Sequence, residues 1–266
     1  MFRNLDLFNH RFLINFAKYR YLLVELVKRD IKVKYRRSVL GIFWSLLNPL
    51  LTMIVLYVVF STLFAKDTAN YPIYLLTGRL VFSFFNTGSK AGMNSIRRNA
   101  GMLKKVYIPK YMYTLGKVLS EFVFFVISLV VLFGVMLVTH APFTVYIIMS
   151  AIPILILLLF TFGVGLLLAT LTVFFRDLAY LYGIFTMMLM WCSAIFYPIT
   201  IVPAKWQFIF TLNPIYVIIA MCRDVFLYGQ MYTLNNLIFA TSAAVTVFFL
   251  GVLVFYKYQD RFILYL

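Results

Sequence analysis

The 266-residue sequence has little charge, and very little of that charge is acidic. Only 12% of the residues are charged and only 8 are Asp or Glu, while 64% are hydrophobic. Soluble globular domains carry roughly 25% charged residues, so this composition excludes a soluble globular protein and predicts an integral membrane protein. The sequence also lacks a long polar segment. We therefore expect one membrane domain, with any soluble machinery supplied by another chain.

Side chains that carry chemistry are scarce as well. Cys192 and Cys222 lie in apolar surroundings without a CxxC spacing, which excludes a disulfide framework and disfavours a metal site. His10 lies in the basic N-terminal segment and His140 in a predicted outer loop, and neither has a plausible catalytic partner among nearby carboxylates or cysteines, which disfavours a membrane acyltransferase, metalloprotease or phosphatase. No GxxxxGK(S/T) phosphate loop is present. We expect no catalytic residue, no metal and no cofactor in this chain.

Long apolar runs dominate the sequence and give the predicted spans. Residues 38–65 form a charge-free run of 28 residues, more than the roughly 20 that cross a bilayer. Residues 122–175 form a second run of 54 residues, which must cross twice and breaks at residues 139–142. Six transmembrane helices are predicted, at about residues 42–64, 72–92, two within 122–175, 178–196 and 234–256.

Prolines mark two irregular places in these runs. Asn48-Pro49 lies one or two turns into the first predicted span, where the proline frees a backbone carbonyl that a neighbouring helix must satisfy. Between residues 197 and 229, Pro198, Pro203 and Asn213-Pro214 cut the apolar sequence into pieces too short to span. We predict that these pieces are re-entrant or interfacial helices between spans five and six.

The N-terminal region is basic and amphipathic. Two apolar series recur every four residues: Phe8, Phe12 and Phe16, then Leu23, Val27, Ile31 and Tyr35. Lys and Arg fill many of the positions between them, which predicts helices lying in the headgroup region. Cytosolic helices that pack on a partner are the alternative. The fold class is therefore all-α, with cytoplasmic amphipathic interface helices in residues 1–41 and a six-span membrane domain in residues 42–266.

The distribution of Lys and Arg predicts the orientation. Of the 24 basic residues, 20 fall on the side of the two termini, in the N-terminal region, the loop at 90–117, the turn at Arg176 and the C-terminal tail. Only Lys66, Lys205 and Arg223 fall on the other side, and Arg79 lies within a span. The positive-inside rule then places both termini in the cytoplasm. Charge spread along the inner membrane face suits anionic lipid, and we expect no nucleic-acid partner.

Short motifs along nearly the whole chain carry a family resemblance. They are residues 29–49 (RDIKVKYRRSVLGIFWSLLNP), Tyr71-Pro72, 75–78 (LLTG), 103–109 (LKKVYIP), 173–177 (VFFRD), 196–199 (FYPI) and 212–215 (LNPI). In this order they resemble the permease subunits of bacterial ABC exporters for lipid-linked polysaccharides, of the O-antigen or wall teichoic acid type. The resemblance implies a transporter subunit in the bacterial cytoplasmic (inner) membrane rather than an enzyme.

The same resemblance implies partners and two functional surfaces. Two copies of the permease form a homodimer and bind two cytosolic ABC ATPases, which hold ATP and Mg, and the substrate is a lipid-linked glycan. A loop between spans two and three couples to the ATPase, here Leu103, Lys104, Lys105, Val106, Tyr107 and Pro109. A gate for the lipid headgroup corresponds to Lys28, Arg29, Lys32, Lys34, Arg36 and Arg37, which suit a pyrophosphate. A solvated basic loop and contact with bulk anionic membrane lipid are the respective alternatives.

A translocation path is expected where aromatic and polar side chains meet. Its candidate residues are Arg79, Phe82, Asn86, Trp191, Phe196 and Tyr197. Aromatic rings stack on sugar faces, but they also populate membrane interfaces. Arg79 departs from the family pattern, in which an apolar residue follows the glycine. Three roles are open for Arg79: contact with polymer phosphates in the channel, snorkelling, or pairing with an acidic residue. Phe82, Ser83 and Asn86 are predicted to share its helical face.

Two rival functions remain open from the sequence. The first is an exporter of a small molecule or drug with the same architecture, and the second is a stand-alone membrane enzyme of glycan assembly. An enzyme of that kind would turn over without any ATPase. The identity of the polymer is not encoded in a recognisable motif.

Overall fold

The chain is all-helical in a computed structural model that describes residues 19–34, 36, 40–64, 68–104 and 108–265. A first helix, α1, covers residues 19–34. The others are α2 Trp44–Phe64, α3 Tyr71–Arg98, α4 Ala100–Leu103, α5 Tyr111–Val138, α6 Ala151–Phe174, α7 Leu178–Trp191, α8 Gln207–Thr211, α9 Pro214–Phe226, α10 Leu234–Tyr258 and α11 Phe262–Tyr265. Short 3₁₀ helices are Gly41–Phe43, Val145–Ser150, Ile199–Ile201, Ala204–Trp206 and Gln259–Arg261. The predicted all-α class is confirmed.

Within these residues, 4 helical stretches are long and apolar enough to cross a bilayer. They are Gly41–Phe64, Tyr111–Val138, Val145–Phe174 and Leu234–Tyr265. They coincide with the predicted first, third, fourth and sixth spans, so a multi-pass membrane protein is confirmed. Further along the chain, Ala204–Thr211 and Pro214–Phe226 form a pair bent by 90°, and the count rises to 5 if that pair is one broken span.

The second and fifth predicted spans differ from this pattern. α3 has the length for a span, 28 residues, but it is less apolar because polar side chains follow one of its faces. α7 has only 14 residues, or about 21 Å of helix against the roughly 30 Å hydrocarbon core. It ends at Trp191, five residues short of the predicted end, because the backbone leaves the helical conformation there. In the described part of the chain the helices therefore account for 4 or 5 spans, and six spans remain a prediction.

The core is built around α3, which packs against α5 and α6, and α6 packs in turn against α10. Glycines allow the closest approaches. A Cβ atom at Gly92 would lie 2.9 Å from the Cα atom of Gly165, and one at Gly163 would lie 2.7 Å from the backbone of Phe248. One at Gly251 would lie 2.5 Å from the carbonyl oxygen of Gly163. Small residues of this kind let membrane helices pack backbone to backbone.

The proline inside α2 meets the neighbour that a membrane helix needs. Pro49 has no N–H group, so the carbonyl of Ser45, four residues earlier, loses its helical partner. The hydroxyl of Ser128 in α5 lies 3.1 Å from that carbonyl and 2.8 Å from the carbonyl of Phe124 in its own helix, so its one proton is shared between the two. The adjacent helix therefore places a donor within reach of the freed carbonyl.

We expect Gly163→Val to destabilise the protein, because its side chain would collide with the backbone of α10. Overpacking of this kind costs about 1–3 kcal/mol. Gly134→Val is the matched control, since nothing lies within 4 Å of a Cβ atom at Gly134. Thermal unfolding of the purified variants in detergent measures the difference. Equal unfolding midpoints for the two variants would contradict the close contact between α6 and α10.

Candidate translocation and coupling surfaces

One face of α3 is polar and is not covered by the rest of the chain. Its half-buried or exposed polar residues, here called the polar stripe, are Arg79, Ser83, Asn86, Thr87, Lys90 and Asn94. They recur at spacings of three and four and so lie on one side of a helix that is otherwise mostly buried. Arg79 forms no hydrogen bond or ion pair with the residues that the structure describes. Because such side chains are costly against hydrocarbon, this face needs water or another protein beside it.

The sequence places Arg79, Ser83 and Asn86 on one face, and the structure places them in the polar stripe. Phe82 lies elsewhere: it is 2% exposed, belongs to the core and packs against Phe85, with 6.4 Å between ring centroids. The stripe also extends further towards the end of α3 than expected, through Thr87, Lys90 and Asn94. Their spacing from Arg79 continues the same helical pattern, so this extension was readable in the sequence.

A groove of about 460 Å³ opens beside the polar stripe, between α1, α2, α3 and α5. Its lining combines aromatic side chains with uncharged polar ones; these residues include Trp44, Asn48, Ser83, Phe84, Thr87, Phe124 and Phe125. Lys34 and Glu121 also line it, and the Nζ atom of Lys34 lies 3.1 Å from both carboxylate oxygens of Glu121. That Nζ atom is also 3.9 Å from the ring centroid of Phe124. Such a lining suits a polar molecule with apolar faces.

The basic helix α1 lies along the first half of α5. Leu23 and Leu26 are buried, and a Cβ atom at Gly116 would lie 3.4 Å from the Cβ atom of Leu26. Asp30 forms an ion pair of 2.9 Å with Lys117, next to the contact between Lys34 and Glu121. The predicted helix is thus confirmed for residues 19–34. The phenylalanine repeat at residues 8–16 and Tyr35 lie outside the described residues.

Several of the basic residues assigned to a headgroup gate have acidic partners within the chain. Lys28 pairs with Glu25 at 2.9 Å and Arg29 with Asp30 at 3.2 Å, in addition to the Lys34 pair. Lys32 and Arg36 are exposed and form no ion pair with the described residues. Arg37 lies outside the described residues. Two of the six assigned cations are therefore open to an external anion in this part of the chain.

The predicted coupling segment begins with the short helix α4. Leu103 is only 7% exposed and belongs to the core, whereas Met102 is 39% exposed and Lys104 is exposed. Lys105, Val106 and Tyr107 lie outside the described residues, and Pro109 is half-buried. Met102 is the exposed apolar residue that the sequence motif did not single out, because the motif begins one residue later.

Both flanks of the coupling segment are tied to other parts of the chain. On one side, the Nη2 atom of Arg29 in α1 lies 3.5 Å from Oδ1 of Asn99, to which it donates. On the other side, Lys110 donates to the carbonyl of Gln259 at 2.7 Å and lies 3.8 Å from the carboxylate of Asp260. Burial lowers the pKa of Lys110, and Asp260 opposes that effect. The flanks of this segment are therefore in contact with α1 and with the 3₁₀ helix that follows α10.

The aromatic candidates for the path have different environments. Trp191, the last residue of α7, is 48% exposed. Phe196 is 5% exposed and its ring lies between those of Phe60 and Trp191, at 5.6 and 5.4 Å. Tyr197 is half-buried and donates its hydroxyl to the carbonyl of Trp191 at 2.6 Å. Trp191 is the most exposed of these three residues, and the rings of the other two are more deeply buried.

Arg223 was assigned by sequence to the outer side, with no further role, and its environment is unlike that of an exposed loop residue. It lies within α9 and is 5% exposed. Its guanidinium donates to backbone carbonyls of the segment that follows α7. The signal that was available is the arginine's position inside the apolar run of residues 214–226.

Groups for catalysis or metal binding are few in the described part of the chain. Cys192 is half-buried, Cys222 is buried, and both are free thiols. No cluster of three or more His, Cys, Asp or Glu side chains in these residues could hold a metal ion. The chemistry that the surfaces above offer is therefore binding through cations, hydroxyls, amides and aromatic rings.

Comparison with known proteins decides the family. The sequence model of the ABC-2 type transporter family matches residues 21–227, which include α1, the polar stripe, α4 and Arg223. The chain belongs to the ABC-2 type transporter family. It is 31% identical over 244 residues to the O-antigen export system permease protein RfbA of Klebsiella pneumoniae, covering 91% of this chain and 93% of that protein.

More distant relatives align over a similar length. The protein of the same name from Myxococcus xanthus is 25% identical, over 92% of this chain and 95% of that protein. The polysialic acid transport protein KpsM of Escherichia coli is 21% identical, over 88% and 91%. As an ABC-2 permease, the chain is a multi-pass membrane component of an ABC transporter, and this family implies a partner ATPase.

Docking of α1 on α5 can be tested by a disulfide between introduced cysteines. Leu26→Cys and Gly116→Cys, in a background without Cys192 and Cys222, should form a disulfide on mild oxidation, because their Cβ atoms would lie about 3.4 Å apart. Disulfide formation is measured as the loss of maleimide labelling at both cysteines after oxidation. Adding Asp30→Ala should slow the reaction, whereas Glu25→Ala, which removes a pair internal to α1, should not. No disulfide in the parent pair would contradict the docking.

Proposed function

We propose that this ABC-2 permease is the transmembrane subunit of an ATP-driven exporter that moves a lipid-linked cell-surface polysaccharide, of the O-antigen or teichoic acid type, across the bacterial cytoplasmic membrane. Relatives named for O-antigen export and polysialic acid transport, which align over most of the chain, support the substrate class. The single structural observation that carries the proposal is the uncovered polar stripe of α3. A path for a hydrophilic polymer needs a wall of this kind inside the membrane.

The proposed assembly is a homodimer with six spans in each copy. A second copy placed against α3 and α7 would remove the polar stripe from lipid and enclose a hydrated path, as intramembrane polar residues require. In this arrangement α7 and the break after it form the fifth crossing, and α8 and α9 are re-entrant. The excess of Lys and Arg on the side of the termini supports a cytoplasmic location for both.

Coupling to two cytosolic ATPases, which would hold ATP and Mg, is assigned to the segment from α4 to Pro109. Exposed Met102 and Lys104 would contact the ATPase surface, and the assignment extends to Lys105, Val106 and Tyr107. Leu103, being buried within the chain, would transmit force to the core. The ties of the flanks to α1 and to the end of α10 support this role, because they connect the segment to both ends of the membrane domain.

Admission of the lipid headgroup is assigned to α1 and to the groove beside it. Lys32 and Arg36, which have no acidic partner in the described part of the chain, would meet the pyrophosphate first. Lys28, Arg29, Lys34 and Arg37 complete the assigned set, and the Lys34 pair with Glu121 would have to exchange. For the path, Arg79, Asn86 and Trp191 would face the polymer, with Phe82, Phe196 and Tyr197 supporting them from behind.

Reconstitution tests this function most directly. Proteoliposomes with this chain and its ATPase should move a lipid-linked glycan only when ATP is present, and the chain alone should move none. If the proteoliposomes export a small drug and do not move the glycan, the result would favour the drug exporter. Glycan turnover by the chain without any ATPase would favour the membrane enzyme. Either result would overturn the proposal.

The polar stripe gives a second prediction. A cysteine replacing Arg79, Ser83 or Asn86, in a background without Cys192 and Cys222, should react with a membrane-impermeant thiol reagent, because this face is hydrated. Phe82→Cys is the control on the same helix and should stay unreactive, since residue 82 is buried.

Arg79→Leu should also reduce export of an anionic polymer more than export of a neutral one, because the cation would attract phosphates or carboxylates. Export of the anionic polymer and export of the neutral polymer are measured in vesicles prepared in the same way. Unreactive cysteines at all three stripe positions, together with unchanged export by Arg79→Leu, would show that Arg79 snorkels and that the stripe does not line the path.

A further inference from the structure

After α7 the backbone leaves the helical conformation, and the carbonyls of residues 192–197, here called the break segment, lose their helical partners. Side chains of α3, α9 and Asn213 donate to five of these six carbonyls. The side-chain amide of Asn213 donates to the carbonyl of Cys192 at 3.0 Å, and the guanidinium of Arg223 donates to the carbonyls of Ala194 and Ile195 at 3.0 and 3.2 Å. The hydroxyl of Tyr71 donates to the carbonyl of Phe196 at 2.6 Å. The hydroxyl of Tyr74 lies 3.0 Å from the carbonyl of Ala194 and 2.7 Å from that of Tyr197. In a membrane, where water is absent, non-helical backbone persists only when the protein supplies such bonds.

Arg223 is the centre of this arrangement. Its Nη2 atom reaches the carbonyls of Ala194 and Ile195 and a third carbonyl, that of Tyr74, at 3.3 Å. Its guanidinium carbon lies 3.4 Å from the ring centroid of Tyr74. Arg223 forms no ion pair with the residues that the structure describes. A buried cation without a counter-ion is costly, and here carbonyl dipoles and an aromatic face take the place of the counter-ion.

The neighbouring helix is shaped to admit the guanidinium. A Cβ atom at Gly78 would lie 2.8 Å from Nη2 of Arg223 and 3.3 Å from Cγ2 of Ile195. Any larger residue at this position would displace the guanidinium or the break segment. The glycine of α3, the arginine of α9 and the free carbonyls after α7 therefore form one fitted unit.

We propose that Arg223 and Tyr74 are positioning residues for transport, because they hold the break segment and, through it, the exposed ring of Trp191. Two contacts carry the effect: the ring of Phe196 packs on that of Trp191, and the hydroxyl of Tyr197 binds the Trp191 carbonyl. Without Arg223 the carbonyls of Ala194 and Ile195 lose their guanidinium donor and the segment opens. The link to transport rests on the proposed function, whereas the link to the backbone does not.

Thiol accessibility tests the backbone part. Ile195 is 0% exposed, so Ile195→Cys, in a background without Cys192 and Cys222, should label slowly with a maleimide. Arg223→Leu should raise the labelling rate about tenfold or more, because losing a hydrogen bond to a charged group shifts a local opening equilibrium by that order. Arg261→Leu, at an exposed arginine, is the matched control and should leave the rate unchanged.

Tyr74→Phe keeps the ring under the guanidinium and removes the hydroxyl whose one proton lies within reach of the carbonyls of Ala194 and Tyr197, so it covers the case in which Arg223→Leu does not fold. It should raise labelling of Ile195→Cys, and Arg223→Lys should restore part of the protection. Unchanged labelling in the folded variants would overturn the proposal, whether or not the wild-type chain exports glycan. Faster labelling with undiminished export in reconstituted vesicles would overturn the positioning role. Faster labelling with reduced export, at normal ATPase binding, supports both parts.

Discussion

Every polar group inside the membrane domain needs a partner within the protein, because lipid tails offer none. The irregular features of this fold follow from that constraint. Pro49 of α2 frees the carbonyl of Ser45, and the hydroxyl of Ser128 in α5 lies within hydrogen-bond distance of it, at 3.1 Å. After α7 a whole run of carbonyls is freed, and Asn213, Tyr71, Tyr74 and Arg223 supply the bonds together. At both helix breaks, side chains from neighbouring parts of the chain donate hydrogen bonds to the freed backbone carbonyls.

The polar stripe of α3 is the place where a single copy of the chain does not meet this constraint. Its two cations, its amides and its hydroxyls lie along a helix that is otherwise the centre of the core, and they are open on one side. In the proposed homodimer, a second copy with water between the two would resolve this conflict. In the same proposal, the contact between Arg29 and Asn99 would connect the coupling segment to α1, the helix beside the path.

Much of this arrangement was readable in the sequence. The long apolar runs predicted four of the spanning helices, because length and hydropathy alone decide them. The spacing of Arg79, Ser83 and Asn86 predicted a shared face. The inward position of Phe82 was not predictable, because a residue three positions along a helix falls on either edge of a face and only packing decides which.

Other features depend on contacts between distant parts of the chain. From the sequence, Arg223 was placed in an outer loop. It is buried because it packs against Gly78 and Tyr74, which lie about 145 or more residues earlier in the chain. The pairing of Lys34 with Glu121 and of Asp30 with Lys117 likewise joins α1 to α5, and it removes charges that composition alone assigns to lipid or substrate. Leu103 reads as an exposed anchor and is buried for the same kind of reason.

In the proposed homodimer, the polar stripe faces the polar stripe of the second copy across a hydrated path. Pulsed electron spin resonance on the complex with its ATPase measures this, with one spin label per copy at residue 86, or at Leu253 on the exposed side of α10. We expect a single distance between the spin labels of the two copies, and this distance should be clearly shorter for labels at residue 86 than for labels at residue 253. An equal or longer distance at residue 86, or no distance between copies at all, would contradict it.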